Sequence, residues 1–173
     1  MVNIRMLKFY SLLIKLLNIE HFKYRGLTIG EIEISQQVFG NLIDYQRVRI
    51  FNQPYLPWQP KGVVMAPNGC IHFKAADYCS DFIEQSRFYQ AVFIHEMAHI
   101  YQHQRKENVL LKGAILQMGL YLTWGKYNPY RYKLIKNKCY FDYNLEQQGD
   151  IAKDIYMNRI PNIILYPELT ATI

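Results

Sequence analysis

Cysteine is scarce in this chain, and the three that occur (Cys70, Cys79 and Cys139) form no CxxC pair and no metal-ligand spacing. That pattern excludes a disulfide framework and a cysteine-ligated zinc site. A single Cys70–Cys79 bridge stays open for an oxidising compartment, with buried free thiols the commoner state for such residues. Long apolar runs are missing too. Met1 to Ile19 is rich in leucine and isoleucine, but Arg5, Lys8 and Lys15 interrupt it, and its longest uncharged stretch is only Phe9 to Ile14. No transmembrane span fits there. Without a clean apolar centre or a small-x-small site, the segment is also a poor signal peptide. It reads as a core or surface helix, with a peripheral membrane helix as the sharper alternative. Internal repeats, low-complexity tracts and linkers are absent as well.

What is present is a globular composition. The 173 residues are 50% hydrophobic and 15% aromatic, which excludes disorder and suits one domain with a real core. A net charge of +6 and a pI near 9.1 give a mild attraction to anionic partners: nucleic acid, anionic lipid or bacterial cell-wall polymer. Charge alone does not choose among them. The basic residues concentrate modestly at Arg131 to Lys138, most simply a solvated loop. No nucleic-acid-binding motif accompanies it, so nucleic acid ranks below the other partners.

The element pattern is α+β. Residues 3–18 read as a helix, and Thr28 and Glu31 form a capping box for a second one ending near Phe39 and Gly40, with a short turn of helix over Asn41 to Tyr45. Arg47 to Phe51 alternates like a strand, and a loop of prolines and aromatics follows, in which packing is the simplest role for Trp58. Val63–Met65 and Cys70–Phe73, joined by Ala66-Pro67-Asn68-Gly69, read as a hairpin. A long apolar helix is expected over 84–106, a further helical or irregular apolar segment over 110–124, and a last helix over 144–157 before an extended tail.

The long helix carries His95-Glu96-Met97-Ala98-His99, an HExxH pentapeptide. Residues four apart share one helix face, so two imidazoles can reach a single zinc ion. Glu96 lies beside that face, where its carboxylate can take a proton from an activated water as general base. Two charged or polar histidines in so apolar a helix need partners, and a metal suits their spacing. A catalytic zinc site needs a third protein ligand. His103 is excluded as that ligand, because it lies two turns from His95, roughly 12 Å along the helix; it is left to flank the cleft. Glu146 and Asp150, four apart on the last helix, offer the alternative. Glu146 can close a His₂Glu site, Asp150 can accept the outer N–H of a ligating imidazole, and Gly149 would let the two helices approach. The plainer reading of both acids is a solvated helix start favoured by the macrodipole. Beside an HExxH lacking its third ligand, the metal reading is preferred.

Leu27 to Glu31, Asp44 to Ile50, Ala66 to Gly69, the HEMAH helix and Tyr143 to Asp150 together resemble small zinc-metallopeptidase-like proteins of Gram-negative bacteria related to Vgr and Rhs components of type VI secretion. The resemblance spans residues 27–157. It implies a zincin-like minimal metallopeptidase domain over 27–173 behind an N-terminal helix or extension, 1–26. It implies a gluzincin-type site, with His95, His99 and Glu146 holding one Zn²⁺ and Glu96 as general base. It also implies synthesis in the bacterial cytoplasm and delivery to the periplasm or a target cell, with secretion-system components or an immunity protein as partners.

The reaction expected is hydrolysis of a peptide bond in peptidoglycan stem peptides or in a protein. His103, Tyr140, Tyr143 and Arg131 are the candidate oxyanion donors, chosen by proximity to the motifs in sequence. By analogy with the same architecture, a sheet edge near Cys70 to Phe73 would align an extended substrate. The competing expectation is a non-catalytic, zinc-stabilised adaptor domain of the secretion apparatus, which would have no use for Glu96.

Overall fold

The computed structural model describes residues 22–172; the helix expected over 3–18 lies outside them. Strands Tyr24–Arg25 (β1), Arg49–Phe51 (β2) and Cys70–His72 (β3) form a sheet in the order β1-β2-β3. β1 runs antiparallel to β2, and β2 parallel to β3. Among the described residues four helices accompany it: Ile29–Phe39 (α1), Arg87–Gln104 (α2), Val109–Leu122 (α3) and Leu145–Tyr156 (α4). Short 3-10 turns occupy Tyr45–Arg47, Tyr140–Asp142 and Pro167–Thr172, so the tail is not extended throughout. The class is α+β with a small sheet.

Alternation in the strands sorts the sheet into two faces. Ile50 and Ile71 are paired in register and wholly buried on the core side. On the other side the rings of Phe51 and His72 stack with centroids 5.0 Å apart. The expected hairpin is reduced to a single antiparallel bridge between Met65 and His72. β3 instead pairs along its length with β2, the register that sets Ile71 beside Ile50. Gly69 still turns the chain, at φ +81, a conformation that L side chains resist. The bridge engages the outward N–H and C=O of His72 with Met65, at 2.8 and 3.3 Å, so the edge expected to take a substrate strand is closed there. Trp58 is 76% exposed and does not pack; its neighbour Gln59 is buried and holds the loop. Gln59 accepts from the Tyr55 N–H at 2.8 Å and donates to the Val63 carbonyl at 2.7 Å.

α1 begins at the capping box read from the sequence. Glu31 N–H donates to Thr28 Oγ1 at 3.1 Å, and Thr28 N–H to Glu31 Oε2 at 2.8 Å. The carboxylate of Glu31 does more than cap. It is wholly buried and receives both Arg25 terminal nitrogens, at 2.7 and 2.6 Å, and the Phe82 N–H at 2.9 Å. One charge thereby ties β1, the start of α1 and the loop entering α2. β1 lies inside the stretch read as an N-terminal extension, and this pair anchors it to the domain.

α2 is buried on nearly every side: Phe93, Ile94, Met97, Ala98 and Ile100 are wholly enclosed, with Ile151 and Ala152 of α4 opposite. α3 differs, since Val109 is its only buried residue. All three cysteines are free thiols; Cys70 and Cys79 are half-buried and Cys139 is exposed, short of the full burial expected.

Removing one partner of a buried ion pair strands the other charge. Glu31→Ala is expected to lower the unfolding free energy by about 3–5 kcal/mol in urea titrations. A loss below about 1 kcal/mol would mean that the pair does not hold β1 and α1 together.

Candidate metal centre

The HExxH segment and the Glu146–Asp150 segment are far apart in sequence and meet because α4 packs on α2. Local chemistry sets both helix starts. Ser86 caps α2 by accepting the Tyr89 N–H at 3.3 Å. Asn144 caps α4: its Oδ1 accepts the Gln147 N–H at 2.9 Å, and Gln147 Oε1 accepts the Asn144 N–H at 3.2 Å. That start puts Glu146 in the first turn of α4. Gly149 governs the approach. A Cβ on Gly149 would lie 2.5 Å from Cε1 of His95, closer than any side chain tolerates.

The result is a convergence of three donors. Nε2 of His95 lies 3.4 Å from Glu146 Oε2, and Nε2 of His99 lies 3.7 Å from the same oxygen. Donor atoms of His95, His99 and Glu146 all fall within 4.8 Å of one another. Zinc bonds of about 2.0–2.2 Å arranged tetrahedrally separate their ligands by roughly 3.3–3.5 Å. The two nitrogen–oxygen separations lie at or slightly above that range, and these three residues could hold a metal ion.

Each imidazole is oriented from behind. Nδ1 of His95 faces Asp150 Oδ1 at 3.2 Å, and the same carboxylate pairs with Lys153. Nδ1 of His99 faces Gln102 Oε1 at 2.8 Å. The direction of that second contact follows from two backbone carbonyls, which can only accept. Gln148 Nε2 donates to the Tyr143 carbonyl at 2.7 Å, turning its Oε1 towards Gln102. Gln102 Nε2 then donates to the Leu145 carbonyl and to Gln148, both at 3.0 Å, leaving Oε1 for His99. His99 must therefore carry its proton on Nδ1 and present Nε2 towards Glu146.

Charges in this buried cluster depend on one another. Burial opposes ionisation of His95, but the hydrogen bonds it donates to Asp150 and Glu146 outweigh it and lift the ring to about 10. His99 is raised for the same reason, with burial overcome by Glu146. Burial would raise Glu146, yet the two imidazoles hold it well below the usual carboxylate range. Glu96 goes the other way: burial pushes it up, only partly offset by the rings. Its Oε2 is buried without a hydrogen-bond partner. An orphaned carboxylate oxygen beside a three-donor cluster fits a site that takes a cation and a water.

The four candidate oxyanion donors are placed differently from the cluster. Tyr140 is buried in the core and donates to the Gln148 carbonyl at 3.2 Å. Tyr143 is buried too, its hydroxyl taken by the Lys133 carbonyl and the Ile135 N–H, both at 3.1 Å. His103 is exposed and lies against Gly69, and Arg131 is exposed on its loop. Tyr130, passed over in the sequence, stands closer: its ring centroid is 6.4 Å from that of His95, and its hydroxyl accepts from Gln117. Burial, reinforced by the charge of Glu146, raises the Tyr130 phenol, so it stays a donor. Gln102 was also passed over. For Gln102 the i, i+3 spacing from His99 was the available signal. Tyr130 had none beyond its place in the loop before α4.

Fold and site together define a class: an α+β domain in which an HExxH helix and a second helix bring together two imidazoles and a carboxylate that could hold a cation. No protein-family model matches the chain. It is 44% identical over 136 residues to the type VI secretion system spike protein VgrG2b of Pseudomonas aeruginosa, a match covering 78% of this chain and 13% of that protein. Among solved structures, the effector domain of Pseudomonas aeruginosa VgrG2b aligns with a TM-score of 0.73 and 41% identity, over 85% of this chain and 82% of that domain. The chain belongs to the family of that effector domain.

Two substitutions test the construction of the site. Gln102→Leu and Gly149→Ala are each expected to weaken zinc binding by about 10–100-fold, read by competition with a chromogenic chelator, while far-UV circular dichroism stays unchanged. Wild-type affinity in both variants would separate the metal centre from these supports.

Proposed function

We propose that this chain is a zinc-dependent peptidase acting as an effector of a type VI secretion system, hydrolysing a peptide bond in a protein or in peptidoglycan. The observation that carries the reading is the orphaned Glu96 carboxylate beside the converging His95, His99 and Glu146. The kinship with the VgrG2b effector domain supports the effector role and delivery to a target cell. Secretion-system components and an immunity protein are the corresponding partners.

His95, His99 and Glu146 would hold the ion. The chemistry zinc supplies when bound is electrophilic, polarising the scissile carbonyl and acidifying a water. The rest falls to the side chains. Glu96 accepts the proton of the attacking water, its raised affinity for protons suiting a group that takes one up and returns it. The same carboxyl passes that proton to the leaving amine. Tyr130 keeps its hydroxyl proton and donates to the oxygen on which negative charge develops. Asp150 and Gln102 keep the two rings turned so that Nε2 of each faces the cluster. The adaptor reading leaves Glu96 buried without a partner at a cost and without a use.

Purified sacculi and a mixed protein substrate, each incubated with and without a zinc chelator, test this directly. Chelator-sensitive release from one of them is expected, with Glu96→Gln retaining its metal and losing about 10²–10⁴-fold in rate. No chelator-sensitive release from either substrate, or a Glu96→Gln rate equal to wild type, would leave the adaptor in possession.

A further inference from the structure

α3 breaks the rule for a helix on the surface of a domain. Such a helix turns an apolar stripe inward and a charged face to water. In α3 both faces are apolar. Val109, Gly113, Leu116 and Leu120, spaced i, i+4, i+7, i+11, are buried or half-buried. Leu111, Ile115, Met118 and Leu122 repeat the same spacing on the outside and are 56, 58, 57 and 74% exposed. Trp124, just past the helix, is 94% exposed. Isolated exposed apolar residues are ordinary, but a continuous stripe ending in an indole marks an interaction surface.

The charge beside it names the partner. Between Glu107 and Asp142 the chain has six basic residues, Lys112, Lys126, Arg131, Lys133, Lys136 and Lys138, and no acidic one. Those six equal the net charge of +6, so the remainder of the chain is neutral overall. Lys126, Arg131, Lys133 and Lys136 are all exposed. An exposed apolar stripe and an exposed tryptophan, followed directly in the chain by an acid-free basic segment, match the chemistry of an anionic lipid bilayer. It does not match a second copy of itself, since that would set two such basic segments together.

We infer that α3 and the segment following it dock the domain on anionic phospholipid membrane, with the Leu111–Ile115–Met118–Leu122 stripe and Trp124 entering the acyl boundary. Among the described residues no helix is long and apolar enough to cross a membrane, so the contact is interfacial. Its place in the fold matters. A Cβ on Gly113, on the inner face of α3, would lie 4.0 Å from Glu146 Oε1, so docking through the outer face sets the metal centre beside the bilayer. The inference stands apart from the hydrolytic reading, because binding needs no catalysis.

The full chain carrying Trp58→Phe leaves Trp124 as its only indole. Mixed with vesicles of phosphatidylcholine alone or with phosphatidylglycerol added, it is expected to co-sediment with the anionic vesicles, to be released as salt rises, and to show blue-shifted Trp124 emission. The triple variant Ile115→Gln, Met118→Gln, Leu122→Gln alters only residues more than half exposed and is expected to lower the partition at least about tenfold while its far-UV circular dichroism stays unchanged. Absence of binding to anionic vesicles would overturn the proposal. So would binding with Trp124 emission unshifted, which would place the contact elsewhere on the chain. A concentration-dependent dimer abolished by the same triple variant would assign the surface to a second copy and overturn it equally. Should the triple variant fail to fold, the emission of Trp124 decides alone.

Discussion

The close packing of α4 on α2 at Gly149 is the constraint on which the site depends. Two imidazoles at i and i+4 cannot enclose a cation by themselves, and the third donor has to come from a separate helix. With no side chain at position 149, His95 occupies the space a Cβ would need, and Glu146 comes within 3.4 Å of one ring and 3.7 Å of the other. Three carboxylates and two imidazoles then share a buried space that water does not screen. The two imidazoles, Glu146 and Asp150 are partnered with one another, while the buried Oε2 of Glu96 has no hydrogen-bond partner.

Polar groups in such places are tolerable only inside complete networks. Two are built here. Around the His95–His99–Glu146 cluster, Gln102 and Gln148 run from His99 to backbone carbonyls that cannot donate, while Asp150 joins His95 to Lys153. In a separate cluster, Glu31 gathers Arg25, Thr28 and Phe82. The second network holds the sheet and α1 as a frame; the first sets the direction of lone pairs. Fold and chemistry thus rest on buried charges that join near neighbours, such as Arg25 and Glu31, as well as distant groups, such as Glu31 with the Phe82 N–H and His95 with Asp150.

What was legible in the sequence follows from that distinction. The capping box at Thr28, the start of α4 and the spacing of HExxH are local, and a few residues suffice to express them, whereas α2 begins at Arg87, three residues past the expected start. That Glu146 comes beside the two histidines was legible because the motif was short of one ligand and a helix with a carboxylate and a glycine stood ready. Non-local pairing was not legible. Cys70–His72 reads as one arm of a hairpin until Ile50 offers its side chain a partner in the core, and Trp58 gives no sign that Gln59 will be the buried residue of its loop. The hydroxyls of Tyr140 and Tyr143 are consumed by backbone carbonyls, which no spacing could announce. Tyr130 reaches the cluster from a loop, by the same kind of tertiary accident.

The central claim is that residues from two helices hold one cation between them. Its most direct measurement is the metal content of the protein purified without added zinc, for wild type, His95→Ala and Glu146→Ala. One zinc ion per chain is expected in the wild type, with almost none in either variant and the helical content of all three alike. A Glu146→Ala protein that keeps its zinc at full stoichiometry would show that α4 supplies no ligand, and the account of this site would be wrong.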